Sequence, residues 1–277
     1  MKKKVNVLQI ALFIIMTFYS IVSLYPLVWV VIQSFKTESE FLLSIWTLPS
    51  RMNFANYVAA WNKANFSIYF INSVTVTVTT LVLVLSLTAV AGFAFAKLNF
   101  IGKKFLFNMI IVNLMIPTAI ILLPMFFLIK DLGIKNTLPA LIFPYFTGTV
   151  PLGLIITTSY YKGLPDELLE AARIDGCSFF QSFLRIILPL GVPIMATQGI
   201  LAGMSTWNEY MWALISISEK SRYTIPVGIT VLQGARDRTG YVVGFAALTL
   251  SSIVIVVLYL FSQKFFVKSI AAGAVKG

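Results

Sequence analysis

In a chain otherwise poor in charge, charged side chains crowd together in one stretch between long apolar runs, at Asp166, Glu167, Glu170, Arg173, Asp175 and Arg185. Groups of this kind could bind a metal, exchange protons with a substrate, or dock on a charged partner. The rest of the sequence narrows the choice. There is no histidine, the commonest general base and transition-metal ligand. The single cysteine, Cys177, allows no internal disulfide. Neither H-E-x-x-H nor a Cys/His cluster occurs, which excludes a zinc membrane protease. No G-x-x-x-x-G-K-[ST] loop occurs either, so the usual phosphate cradle for ATP is missing. Two readings of the stretch remain: a docking element for another protein, or a plain charged helix between membrane spans.

The local signals are helical. Pro165 suits a first helical position, and Asp166 and Glu167 fall in the first turn, where the macrodipole favours anions. Gly176 is placed to end the helix. Leu168, Ala171, Ala172 and Asp175 share one face at helical spacing, and two adjacent alanines there would let another surface approach the backbone. A new apolar stretch starts at Ser178 and is interrupted at Pro189 and Pro193.

The full spacing is Glu170-Ala171-Ala172, three residues, Gly176, nine residues, then Ile186-x-Leu188-Pro189. It resembles the EAA loop of permease subunits of binding-protein-dependent ABC importers. In that family the loop forms a short coupling helix that docks into a cleft on the ATP-hydrolysing subunit. The resemblance therefore implies ATPase-coupling roles for Leu168, Glu170, Ala171, Ala172, Asp175 and Gly176. Glu170 would pair with a basic group of the ATPase, the alanines would allow close approach, and Gly176 would permit the turn. The pattern around Asn56-Tyr57, Phe70-x-Asn72-Ser73 and the close at Ala271–Gly277 resembles the second permease of maltose-type carbohydrate importers. The family fold is an all-α integral membrane protein with six transmembrane helices and a cytoplasmic coupling helix, the type I importer permease fold. The implied partners are a second related permease, two ATP-binding subunits, an extracytoplasmic solute-binding protein, membrane lipid and a sugar substrate. No cofactor is implied on this chain, since ATP would sit on the ATPase subunits. Glycerol-phosphate importers resemble the same group.

Composition agrees with a membrane protein. The chain has 277 residues, of which 58% are hydrophobic and 11% charged, against about a quarter charged in soluble domains. Its mean hydropathy is +0.90. Lys and Arg number 21 against 10 Asp and Glu, but they sit scattered at the ends of apolar runs. That placement suits lipid headgroups and topology rather than nucleic acid. Apolar runs long enough to span a bilayer are expected at about 8–32, 71–95, 105–129, 138–160, 193–217 and 241–263, with the EAA loop at about 161–190, all in a single domain covering 1–277. The first run is too long for a signal peptide and has no A-x-A site.

With both termini inside, the inner segments hold 12 basic residues and the outer ones 9. The short segments decide more than this margin, because Lys2, Lys3 and Lys4 fall on the same side as Lys103 and Lys104. This places the EAA helix in the cytoplasm, and the resemblance implies a multi-pass chain in the cytoplasmic membrane of a bacterial or archaeal cell.

Several residues within the apolar runs could line a path. Glu209, in Trp207-Asn208-Glu209-Tyr210, is the one acidic residue well inside such a run. A bilayer-buried carboxylate costs roughly 2.5–3.5 kcal/mol or more, so it should face a cavity, a partner or the outer interface. Aromatic faces with amide and carboxylate acceptors suit a polyhydroxylated ligand, and the Trp-Asn-Glu run resembles a feature of sugar-transporting family members. Trp207, Asn208 and Glu209 are thus substrate-pathway residues or an interfacial belt. Prolines 117, 124, 144 and 151 fit bent helices along a path, or packing geometry alone. Thr75, Thr77, Thr79 and Thr80 scatter around their helix, so most are expected to be local backbone partners rather than a path lining.

Two other classes fit less well. An ion-coupled secondary transporter calls for intramembrane charges and an internal repeat, and the chain offers one glutamate and no repeat. An intramembrane enzyme lacks histidine and a buried aspartate from which to build a catalytic pair.

Overall fold

A computed structural model describes residues 7–62, 65–234 and 240–274. The lysines at positions 2 to 4 and the last three residues lie outside that range. Among the described residues all regular structure is helical. The chain divides into two compact units, Met1–Ser67 with Gly228–Val254, and Ile68–Val227 with Ile255–Gly277.

In the first unit, α1 (Val7–Ser34) exposes nearly every apolar side chain, as a helix facing lipid does. After it come α2 (Glu38–Leu43) and α3 (Ala55–Asn62). Asn56 explains its own place in the sequence: its Nδ2 donates to Ser34 O and Lys36 O at 2.8 and 2.7 Å, tying α3 to the end of α1. Tyr57 adds a hydroxyl contact with Ser34 Oγ at 2.5 Å. Glu40 closes a capping box with Thr37 and also accepts from Ser50 N and the Ser50 hydroxyl. Glu38 accepts from Tyr241 N and Val242 N, satisfying orphan donors at the start of the last helix.

The second unit carries the site. Its helices are α4 (Phe66–Lys97), α5 (Lys103–Val112), α6 (Thr118–Asp131), α7 (Pro139–Lys162), α8 (Glu167–Ile174), α9 (Phe179–Ser182), α10 (Leu188–Leu190), α11 (Val192–Trp207) and α12 (Met211–Ser216). Two more, α13 (Ile225–Gly234) and α14 (Tyr241–Ala274), complete the chain. Asn72 Nδ2 donates to Ser221 O and Tyr223 O, and Ser73 Oγ accepts from Ile225 N. The Phe70-x-Asn72-Ser73 pattern therefore fastens α4 to the loop before α13.

Three helices meet in a buried polar knot. Gln198 of α11 donates to Thr88 Oγ1 of α4 at 2.8 Å, and its Oε1 accepts from Thr157 Oγ1 of α7 at 2.9 Å. Small residues make the approach possible: a Cβ on Gly153 would lie 2.0 Å from Gln198 Nε2, and one on Gly92 would lie 2.8 Å from Thr157 Cγ2. Without a hydrophobic drive between helices in lipid, close packing and interhelical hydrogen bonds of this kind hold them together.

Three described helices, α1, α4 and α7, are long and apolar enough to cross a membrane, or up to five spans if each bent pair counts as one. The span expected at 105–129 is two helices meeting at 104°, broken at Ile116-Pro117. Pro117 has no N–H to continue the ladder and holds Ile116 extended, after a 3₁₀ turn at Asn113–Met115. Of the four prolines expected to bend helices, this one alone coincides with a break. Pro124 lies inside α6, and Pro144 and Pro151 lie inside a continuous α7. The expected span at 193–217 also differs, because α11 stops at Trp207 and α12 starts afresh at Met211. The segment Phe179–Leu190 meets α11 at 70°. It contains a π turn at Phe183–Ile187, just ahead of Pro189, whose ring and missing N–H disturb the regular ladder.

Candidate functional site

The EAA stretch folds into α8, a helix of eight residues. It starts two positions later than Pro165 suggests, with Asp166 at the N-cap. The Asp166 carboxylate makes no cap hydrogen bond. It accepts instead from Lys97 Nζ at 2.6 Å, and the same amine donates to Leu164 O at 2.6 Å. Lys97 ends α4, and its side chain is only 4% exposed, so a buried cation clasps the chain where it enters α8.

The C-terminal end is a Schellman turn. Cys177 N donates to Ala172 O, Gly176 N donates to Arg173 O, and Gly176 adopts φ +80°. The chain restarts in a capping box at Ser178 and Gln181, with Arg173 stacked 4.3 Å from the Phe179 ring centroid.

Burial sorts the predicted residues onto two faces. Leu169 and Ala172 turn inward, and Leu169 enters an apolar cluster with Ala89, Phe93, Tyr161, Phe183 and Ile187. Phe93 and Phe183 lie 5.3 Å apart there, and Gly191 lets Tyr161 pass beneath the following turn, since a Cβ would fall 2.5 Å from its hydroxyl. Glu167, Glu170, Ala171, Asp175 and Gly176 are exposed, Leu168 is half-buried, and Ile174 is 87% exposed. The shared face expected for Leu168, Ala171, Ala172 and Asp175 is therefore split. Ala172 packs against its own chain because it falls three positions after Leu169, which the cluster needs. The outward face is Glu167, Glu170, Ala171 and Ile174, and Glu170 makes no ion pair among the described residues. Sequence reasoning missed Lys97, Leu169 and Ile174. The first was visible as the lysine that ends a charge-free run.

A second feature is a cavity of about 400 Å³ between the α5–α6 break, the middle of α7 and the α11–α12 junction. Glu209 lines it with both oxygens engaged: Oε1 accepts from Trp212 N at 2.8 Å, and Oε2 accepts from Ala213 N at 3.1 Å and the Tyr145 hydroxyl at 2.5 Å. The carboxylate thus starts α12 and joins it to α7. Threonine and serine hydroxyls share the walls, including Thr118, Thr147, Thr149, Ser205 and Thr206. The other two predicted pathway residues are elsewhere. Trp207 is buried edge-on against Phe70 at 6.2 Å, and Asn208 donates to Met204 O, ending α11.

The geometry is that of a helical chain with a clasped, outward-facing loop helix, and comparison with known proteins gives its class. Residues 87–272 match the family described as the binding-protein-dependent transport system inner membrane component. The chain belongs to that family. It is 38% identical to the probable ABC transporter permease protein YurM of Bacillus subtilis over 276 residues, covering 100% of this chain and 91% of that one. It is 32% identical to the arabinooligosaccharides transport system permease protein AraQ of Halalkalibacterium halodurans, covering 100% of both. Over 93% of both chains it is 32% identical to the trehalose/maltose transport system permease protein MalG of Thermococcus litoralis. The fold matches a chain of a bacterial ABC transporter involved in the import of alginate, with TM-score 0.79 and 21% identity over 94% of this chain and 96% of that one. The chain is thus a multi-pass membrane component of an importer rather than an enzyme, and an ATPase and a binding protein are its implied partners.

Proposed function

We propose that this chain is the membrane-spanning permease subunit of an ATP-driven importer for a carbohydrate of the oligosaccharide class. It pairs with a second, related permease, two ATP-binding subunits and an extracytoplasmic binding protein. Six spans cross the membrane, the sixth formed by α14, and both termini are cytoplasmic. ATP stays on the partner subunits. The observation that carries the reading is α8, fixed from behind by Lys97 and Leu169 while Glu167, Glu170, Ala171 and Ile174 face outward. Ile174, 87% exposed beside two carboxylates, suits an apolar slot with a basic rim on the ATPase. ATP-driven closure of the ATPase pair would push on this helix and rock the spans between two states.

The carbohydrate assignment rests on relatives whose names are those of arabinooligosaccharide and trehalose/maltose permeases. The cavity beside Glu209 supports it, with several hydroxyls on otherwise apolar walls, the mixture a polyol needs. The pathway role expected for the Trp-Asn-Glu run narrows to Glu209, which acts as a fixed wall of the path.

The test is an Ile174→Asp variant in the purified complex. The variant chain is expected to remain in the membrane with the second permease but to lose the ATP-binding subunit and energised uptake of labelled oligosaccharide. Retained ATPase with normal uptake would overturn the coupling assignment. Uptake of glycerol phosphate and of no oligosaccharide by the intact complex would overturn the substrate class.

A further inference from the structure

A second cavity, of about 480 Å³, opens beside the end of α7, at the foot of α5. Its lining brings together Lys103, Lys104 and Lys162 with Phe100, Phe105 and Phe107. The lining holds no carboxylate among the described residues. Asp166, four positions after Lys162, is already engaged by Lys97 at 2.6 Å. Lys103 Nζ is held by Leu98 O at 2.7 Å, so its charge is fixed at the rim. Lys162 reaches over the Phe107 ring at 5.8 Å from the centroid, while Lys104 is exposed. The first turn of α5 has no side-chain cap, so its macrodipole adds to the same positive potential. Beside the lysines, Ile101 is fully exposed and Phe105 is 66% exposed.

Three cations around a cavity, bordered by bare apolar side chains at the end of membrane helices, match one ligand chemistry. We propose that this cavity holds the phosphate headgroup of an anionic phospholipid, with the acyl chains lying along Phe105 and Ile101. The lysines neutralise the phosphate, and the phenylalanines meet the glycerol and upper acyl region, as at other interfacial basic pockets. The site lies at the same end of α4 and α7 as the Lys97 clasp, so the lipid would brace the segment leading into α8.

The experiment uses the intact importer complex in nanodiscs of phosphatidylcholine doped with phosphatidylglycerol, with lipid retention read by native mass spectrometry. Lys104→Gln with Lys162→Gln is the test variant, since Lys103 also holds backbone. Loss of two lysine charges is expected to lower retention of the anionic lipid about 30-fold. Lys104→Arg with Lys162→Arg should keep it, which separates lost charge from lost folding. Phosphatidylcholine should not be retained in either case. Equal phosphatidylglycerol retention in the Gln variant would overturn the site. So would full displacement by millimolar inorganic phosphate, which would make the cavity a soluble-anion site. Loss of the ATP-binding subunit with lipid retention unchanged would overturn it as well, reassigning the lysines to a protein contact.

Discussion

Trp212 Nε1 donates to Ala140 O at 2.8 Å, and Ala140 O is the carbonyl that Pro144, four residues on and without an N–H, leaves unserved inside α7. The indole thus stands in for a missing rung of the helix, and Trp212 is itself set by the Glu209 carboxylate at its backbone N–H. This explains how α7 stays continuous through a proline, and it makes the α7–α12 contact conditional on that proline. Trp212→Phe should cost about 1–3 kcal/mol, the cost of a buried unsatisfied carbonyl. In a Pro144→Ala background the same change should cost much less, because the helix can serve its own carbonyl. A double-mutant cycle on thermal unfolding of the complex measures the coupling; equal costs in both backgrounds would refute the account.

Gly153 and Gln198 should behave as a pair. A methyl on Gly153 would fall 2.0 Å from Gln198 Nε2, so Gly153→Ala should destabilise by about 1–3 kcal/mol through overpacking. Adding Gln198→Ala makes room but removes the interhelical hydrogen bonds to Thr88 and Thr157, leaving Thr88 bonded within its own helix, to Val84 O. Partial recovery of the unfolding temperature in the double variant is the expected result.

At the clasp, the two partners should differ in weight. Asp166 is 78% exposed, so Asp166→Asn should cost less than about 1 kcal/mol. Lys97→Met also removes the bond to Leu164 O from a nearly buried site and should loosen α8. The expected signature is ATP hydrolysis without matching uptake for Lys97→Met and near-normal transport for Asp166→Asn. Equal transport defects would show that the ion pair alone matters.

Gly176 needs its backbone angle rather than its small size. No atom lies within 4 Å of a Cβ placed there, yet φ is +80°. Asn, which tolerates the left-handed region, should keep uptake. Val should lose it at a strain of about 1–2 kcal/mol or more. Membrane abundance and uptake measured together would check this.

Glu40 predicts a pH effect outside the spans. Hydrogen bonds from the Ser50 hydroxyl, then from the Thr37 and Ser50 backbone, pull its carboxyl from 4.5 down to about 2. A depressed carboxyl contributes stability that is present above its unfolded value and lost as pH falls toward the folded one. Protection of the amides of residues 37–50, taken relative to their intrinsic exchange at each pH, should therefore stay high above pH 4.5 and fall between about pH 4.5 and 2. Glu40→Gln should remove that dependence.

The sequence by itself determined the membrane class, the helical content and the location of the loop helix. Each of these depends on signals local in the chain: apolar runs of spanning length, a proline and carboxylates at one end of α8, and Gly176 at the other. It also marked Asn56, Asn72 and Ser73, although their work as loop fasteners showed only once their partners were in place. The tertiary structure alone decided which way α8 faces. Helical spacing groups Ala172 with Ala171, but the cluster around Tyr161 and Ile187 takes Leu169, and Ala172 turns inward with it. It likewise decided that Pro117 breaks its helix while Pro144 does not. A proline frees a carbonyl wherever it stands, and only the tertiary structure brings to Ala140 O a donor from far along the chain, Trp212.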